Sequence, residues 1–206
     1  MATFEIKVCG MRSRENILEI ASYHPDYLGF IFYKNSPRFV GENFQIPPEL
    51  SPSIKRVGVF VNESTDLILE QAATHRLEYI QLHGDETPDQ CQLLKENGLR
   101  VIKVFGVDRK FEREVVKPFE ACVDYFLFDS KGKHPGGNGI PFDWQTLNNY
   151  QGSTPFFLSG GINPENVGLI SRLKFPNLVA IDVNSGVEDS PGIKNKDKLK
   201  ELLSKI

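Results

Sequence analysis

The residues whose type and spacing first suggest chemistry sit in two glycine-bearing turns late in the chain. Ser159-Gly160-Gly161 closes an apolar run at 155–158, and Asn184-Ser185-Gly186 closes another at 178–183. Adjacent glycines let a backbone approach a ligand closely, and N–H groups at a helix start favour anions, phosphate above all. Between the turns, Asn163 or Pro164 opens a helix in which Val167, Ile170 and Leu173 recur at helical spacing. A strand–helix–strand unit of this length makes a right-handed crossover with parallel strands, so both turns fall at the C-terminal end of one sheet. The chemistry expected there is a phosphate grip built from backbone. The plainer alternative makes Gly160-Gly161 only a tight strand-to-helix turn.

Other polar residues close apolar runs earlier in the chain. Cys9, His83 and Asp129 each follow one, and Arg38 lies in the loop motif Ser36-Pro37-Arg38. A thiol and a carboxylate facing each other across a shared mouth suit a base and an acid acting on one sugar phosphate. A guanidinium suits a planar carboxylate through paired hydrogen bonds. Each residue also has an ordinary reading: an inert buried thiol, a turn aspartate, a solvated arginine, a hydrogen-bonded rim histidine. Lys7 and Lys103 lie within strands, either as Schiff-base amines or, as favoured here, as inward-facing residues near a barrel floor or middle. Trp144 is expected to pack its helix onto the sheet.

The elements that would position these groups repeat along the chain. Apolar runs at 4–8, 27–32, 56–61, 79–82, 101–105, 124–128, 155–158 and 178–183 read as strands. Helical segments follow most of them: one from Ser13 to about Tyr23, one capped by Ser64 to about Thr74, and one opened by Thr87-Pro88 and ended by Gly98. Others are expected at 112–119 and 144–147, with a closing helix at 193–203; Pro47-Pro48 opens at most a short one. The longest glycine-rich loop is 131–140. Eight strand-then-helix units, apolar on both strand faces, argue for a closed (β/α)₈ barrel over an open doubly wound sheet. Cys9-Gly10-Met11 after the first strand is no dinucleotide fingerprint. In such barrels the strands' C-terminal ends share one mouth, and the last two loops are the usual phosphate grip.

The bulk numbers agree with this plan. A chain of 206 residues, 40% hydrophobic and 25% charged, suits one globular domain spanning 1–206. The net charge of −3 offers no basic field, so nucleic acid is not an expected partner, and an anionic ligand must be held by local groups. No apolar run has membrane-spanning length, and the first residues lack the plan of a secretion signal. Three scattered cysteines, Cys9, Cys91 and Cys122, suit a reducing cytoplasm rather than a disulfide framework or metal site.

Taken together, the motifs resemble those of the phosphoribosylanthranilate isomerase family of tryptophan biosynthesis, along essentially the whole chain. The matching pieces are Lys7-Val8-Cys9-Gly10-Met11, Ser36-Pro37-Arg38, Val57-Gly58-Val59-Phe60, Gln81-Leu82-His83-Gly84 and Asp129-Ser130. Gly136-Gly137-Asn138-Gly139 ahead of Phe142-Asp143-Trp144, Leu158 to Pro164, and Asp182 to Glu188 complete them. The resemblance implies a TIM barrel of the ribulose-phosphate-binding type and an Amadori rearrangement of N-(5-phosphoribosyl)anthranilate, with neither metal nor organic cofactor. It assigns the general base to Cys9, the general acid to Asp129, and the anthranilate carboxylate to Arg38. Substrate contacts are expected from Arg38, His83, Gly160, Gly161, Asp182, Asn184, Ser185 and Gly186. Asn184 stands where many relatives carry serine or threonine. Sister sugar-phosphate enzymes such as indole-glycerol-phosphate synthase, and a barrel that only binds a phosphorylated ligand, are the competing readings. Protein partners are left open.

Overall fold

In a computed structural model, residues 4–108, 111–130 and 143–206 are described. Eight parallel strands close into a barrel in chain order: β1 (Glu5–Val8), β2 (Tyr27–Ile31), β3 (Lys55–Phe60), β4 (Tyr79–Leu82), β5 (Arg100–Val107), β6 (Tyr125–Ser130), β7 (Phe156–Leu158) and β8 (Leu178–Val183). The α-helices are α1 (Arg14–Ala21), α2 (Thr65–His75), α3 (Pro88–Glu96), α4 (Arg113–Val116) and α5 (Lys196–Leu203). Each expected strand is present within two residues of its expected limits. The glycine-rich loop expected at 131–140 lies outside the described residues.

Alternation along each strand sends one set of side chains inward and the other toward the helices. The inner set includes Tyr27, Val57, Ile102, Val104, Leu127, Phe157 and Ala180. Edge-to-face aromatic contacts, Tyr27 to Tyr79 at 5.3 Å and Tyr27 to Phe157 at 5.1 Å, fill the lower barrel. Beneath them Glu5 accepts from the Tyr27 hydroxyl at 2.7 Å and from Lys55 Nζ at 2.5 Å. These side chains fill the N-terminal end of the barrel among the described residues.

Helix starts follow local hydrogen bonding. Ser64 Oγ accepts from Leu67 N–H, Thr87 Oγ1 from Gln90 N–H and Asn195 Oδ1 from Lys198 N–H. Ser13 stands at the N-cap of α1 but its hydroxyl bonds Glu15 instead. The barrel is thinly wrapped elsewhere. Lys117–Phe119, Trp144–Asn149 and Val167–Arg172 are 3-10 turns. The helix expected after β7 is present only as the 3-10 turn Val167–Arg172, although Asn163 Oδ1 accepts from the N–H groups of Glu165 and Asn166 as a helix cap does. The closing helix begins at Lys196 rather than 193. Ile193–Lys194 instead pairs antiparallel with Glu188–Ser190, giving a hairpin (β9, β10) that no sequence pattern announced. Lys103 also differs from expectation: Ile102 and Val104 face inward, so Lys103 points between sheet and helices, where its ammonium donates to Glu86 at 2.9 Å.

Candidate active site

Lys7, Cys9, His83, Asp129 and Asp182 all lie at the C-terminal ends of inner-face positions. Cys9 is 4% exposed and Asp129 6% exposed, so neither is a solvated turn residue. Lys7 Nζ donates to Asp182 Oδ1 at 2.8 Å. Burial opposes charge on Lys7, but Asp182 and the Cys9 sulfur beside it outweigh that and hold the ammonium above its ordinary pKa. Burial also pushes the Cys9 thiol up, against the pull of Lys7. Neither lysine is placed as a free Schiff-base amine, because both are paired with carboxylates.

Asp129 is the most informative group. Burial, with repulsion from Asp182, raises its pKa to about 6, opposed by the N–H of Ser130, which donates to Oδ1 at 2.8 Å. A carboxylic acid so placed is mostly ionised at pH 7 but keeps a minor protonated fraction that can donate a proton. His83 Nε2 lies 3.7 Å from Asp129 Oδ2, too far for a hydrogen bond. Burial, with Lys7 and Lys103, holds His83 down to about 3, so the imidazole is neutral and this contact is no ion pair. Gln81 Nε2 meets His83 Nδ1 at 3.2 Å.

Asp129, Ser130, Ser159, Gly160, Gly161, Asp182, Asn184, Ser185 and Gly186 line one recess, together with Ile162. The two expected turns therefore share a wall with the expected acid. Gly160 carries φ +92°, a conformation other residues adopt at a cost, and a Cβ there would lie 2.8 Å from Ser130 N. The recess is narrow, ≈ 20 Å³, with room for about one or two oxygen atoms against the backbone. A larger recess of ≈ 720 Å³ opens outside the barrel beside Glu86, Lys103, Phe105 and Phe119. Its size does not make it the reaction site, since the cysteine, the raised aspartate and the glycine turns all lie elsewhere.

Arg38 is buried and engaged. Its Nε and Nη2 donate to Glu188 at 2.9 and 2.7 Å, which ties the loop after β2 to the β9–β10 hairpin. Lys194 Nζ donates to the same carboxylate at 2.6 Å and to Asn184 Oδ1 at 2.6 Å. Burial works against the Glu188 charge, yet Arg38 and Lys194 outweigh it and hold the carboxyl below its ordinary pKa. Glu188 and Lys194 are absent from the sequence-derived site. Glu188 ends one of the quoted motifs and could have been flagged there. Lys194 carried no signal, because its segment reads as a helix start.

A closed (β/α)₈ barrel with a glycine-lined recess, a raised aspartate and a thiol at one mouth has the make-up of a sugar-phosphate enzyme of the acid–base class. The family profile described as N-(5'phosphoribosyl)anthranilate (PRA) isomerase matches residues 6–205, and the chain belongs to that family. The N-(5'-phosphoribosyl)anthranilate isomerase of Parabacteroides distasonis is 45% identical, over 98% of this chain and 92% of the relative. That of Phocaeicola vulgatus is 42% identical, over 98% of this chain and 97% of its own. A crystal structure of a phosphoribosyl anthranilate isomerase in complex with reduced 1-(o-carboxyphenylamino)-1-deoxyribulose 5-phosphate superposes with a TM-score of 0.84. It is 33% identical and covers 98% of both chains.

Proposed function

We propose that this chain catalyses its family's isomerisation, converting N-(5'-phosphoribosyl)anthranilate to 1-(2-carboxyphenylamino)-1-deoxyribulose 5-phosphate. The observation that carries the reading is Asp129, buried and raised to about 6 on the wall of the same recess as both glycine turns. Opening the furanose requires a proton on the ring oxygen as the C1′–O bond breaks, and Asp129 supplies it. The resulting iminium acidifies the C2′ proton, which the Cys9 thiolate removes to give an enolamine. Tautomerisation then yields the ketone. Lys7 beside Cys9 favours the thiolate against the cost of its burial. The glycine turns hold the phosphate, and Arg38 faces the anthranilate end.

The reaction needs only proton transfers, so acid, base and anion grips suffice. Residues 1–206 act as one barrel domain on a small phosphorylated substrate. The free state of Cys9, Cys91 and Cys122 suits the cytoplasm. Among the described residues no helix is long and apolar enough to cross a membrane. The test is the loss of the fluorescent substrate when it is mixed with purified protein. Turnover with the expected ketone as product supports the reading. Saturable binding without turnover would make the barrel a binding protein.

A further inference from the structure

The phosphate and carboxylate ends of the site are expected from separate parts of the chain, yet one side chain joins them. Lys194 is 2% exposed. Its ammonium donates to Asn184 Oδ1 at 2.6 Å and lies 3.4 Å from the Asn184 carbonyl oxygen, at the start of the second glycine turn. It also donates to Glu188 Oε1, and Glu188 in turn accepts both Nε and Nη2 of Arg38. The strand that carries it is clamped: Lys194 N–H donates to Asn16 Oδ1 and Asn16 Nδ2 donates to the Lys194 carbonyl, both at 2.8 Å. A buried ammonium held this firmly, with two cations sharing one carboxylate, leaves a surplus positive charge under the mouth.

We propose that Lys194 is a positioning residue for both substrate grips, fixing the Asn184–Gly186 turn directly and Arg38 through Glu188. This rests on the isomerase reading for the identity of the two ligand ends, but not on turnover. It also gives Asn184 a reason: its amide oxygen reaches the ammonium, where a hydroxyl on a shorter side chain would have to span a different distance.

The inference has a pH signature. Burial, with Arg38, brings the Lys194 pKa down to about 8, while Glu188 and Cys9 hold it up. The charged groups facing it are Glu188 from β9, Arg38 from the loop after β2, Cys9 from the end of β1 and Asp182 from β8. Lys198 on α5 donates to the Glu188 carbonyl, and Glu19 on α1 lies beyond Asn16. Asp129 has already ionised at pH 7, and Lys7 stays charged above its ordinary value. In a Cys9→Ser background, Lys194 is then the mouth group that changes charge between pH 7 and 9.5.

Sulfate, dianionic throughout that range, is the probe. Its affinity for Cys9→Ser should fall about tenfold as pH rises through the Lys194 ionisation, which lies below its wild-type value of about 8 once Cys9 no longer holds it up, the loss expected when a charge-assisted hydrogen bond is given up. Adding Lys194→Gln should give the weak, pH-independent binding already at pH 7, and adding Lys194→Arg should keep binding strong to pH 9.5. Lys194→Gln should weaken anthranilate binding as well, whereas Arg38→Ala weakens anthranilate far more than sulfate. A flat sulfate profile in Cys9→Ser, which needs no Lys194 variant to fold, would overturn the proposal. So would full sulfate affinity in Lys194→Gln. Neither result would touch the isomerase reading, which wild-type turnover tests separately.

Discussion

Lys7 and Asp182 are register partners across the β1–β8 seam that closes the barrel, and their side chains meet at 2.8 Å between the expected base and the expected acid. The pair acts on both. The ammonium favours the Cys9 thiolate, while the Asp182 carboxylate opposes ionisation of Asp129.

Asp182→Asn should therefore move both limbs of the kcat/KM profile to lower pH, since Asp182 raises the pKa of Cys9 and Asp129 alike. It should also cost about 3 kcal/mol of stability, because the buried Lys7 loses its counter-charge. A pH–rate profile beside a denaturant titration checks this, and unmoved limbs would disprove the like-charge account.

Asp129→Asn should stabilise the protein at neutral pH. A carboxyl whose folded pKa is raised favours the folded state most at low pH, and that advantage is lost as pH rises from its unfolded value, ~3.9, through about 6. The difference corresponds to ~3 kcal/mol, and the Asn side chain escapes it while still accepting from Ser130 N–H. Unfolding at pH 4 and pH 7.5 measures it: near equality at pH 4 and a more stable variant at pH 7.5 are expected. The same difference at both values would remove burial strain from Asp129.

Gly186→Ala should abolish anion binding at the second turn. A Cβ there would overlap the Ile162 carbonyl oxygen and lie 2.9 Å from Asn163 Cβ, forcing the two phosphate turns apart. Sulfate affinity should fall at least tenfold, by the loss of several backbone hydrogen bonds. Calorimetric titration with sulfate reads this directly, and unchanged affinity would place the anion elsewhere.

The barrel was legible because its strands are apolar on both faces and end in punctuating polar residues. Cys9, Asp129 and the glycine turns were legible for the same reason, since a strand's end fixes where its next side chain points. Four things were not. The segment Val167–Arg172 is a 3-10 turn, and the recurrence of Val167, Ile170 and Leu173 over so short a stretch does not tell that from an α-helix. The β9–β10 hairpin is too short for period-two patterning, so Ile193 and Lys194 read as the start of a helix. The Arg38–Glu188–Lys194 cluster joins residues 150 positions apart, and no local spacing encodes that pairing. Lys103 faces outward because strand parity is fixed by its neighbours, not by its charge.

The pH dependence of kcat/KM in wild type beside Asp129→Asn tests the acid–base assignment most directly. Asp129 loses its proton near 6, whereas burial places the Cys9 ionisation above the usual thiol range, so acid and base are both correctly protonated only in a minor fraction. Wild-type kcat/KM should rise with pH to about 6, level off, step down as Lys194 loses its proton near 8, and fall again beyond the Cys9 ionisation. Without the acid, the residual rate should be ~10²–10⁴-fold lower and track the thiolate alone. It should keep rising past pH 6 with no break there, until Lys194 loses its proton near 8. A break that persists near 6 in Asp129→Asn, or a near-normal rate, would show that another group supplies the proton.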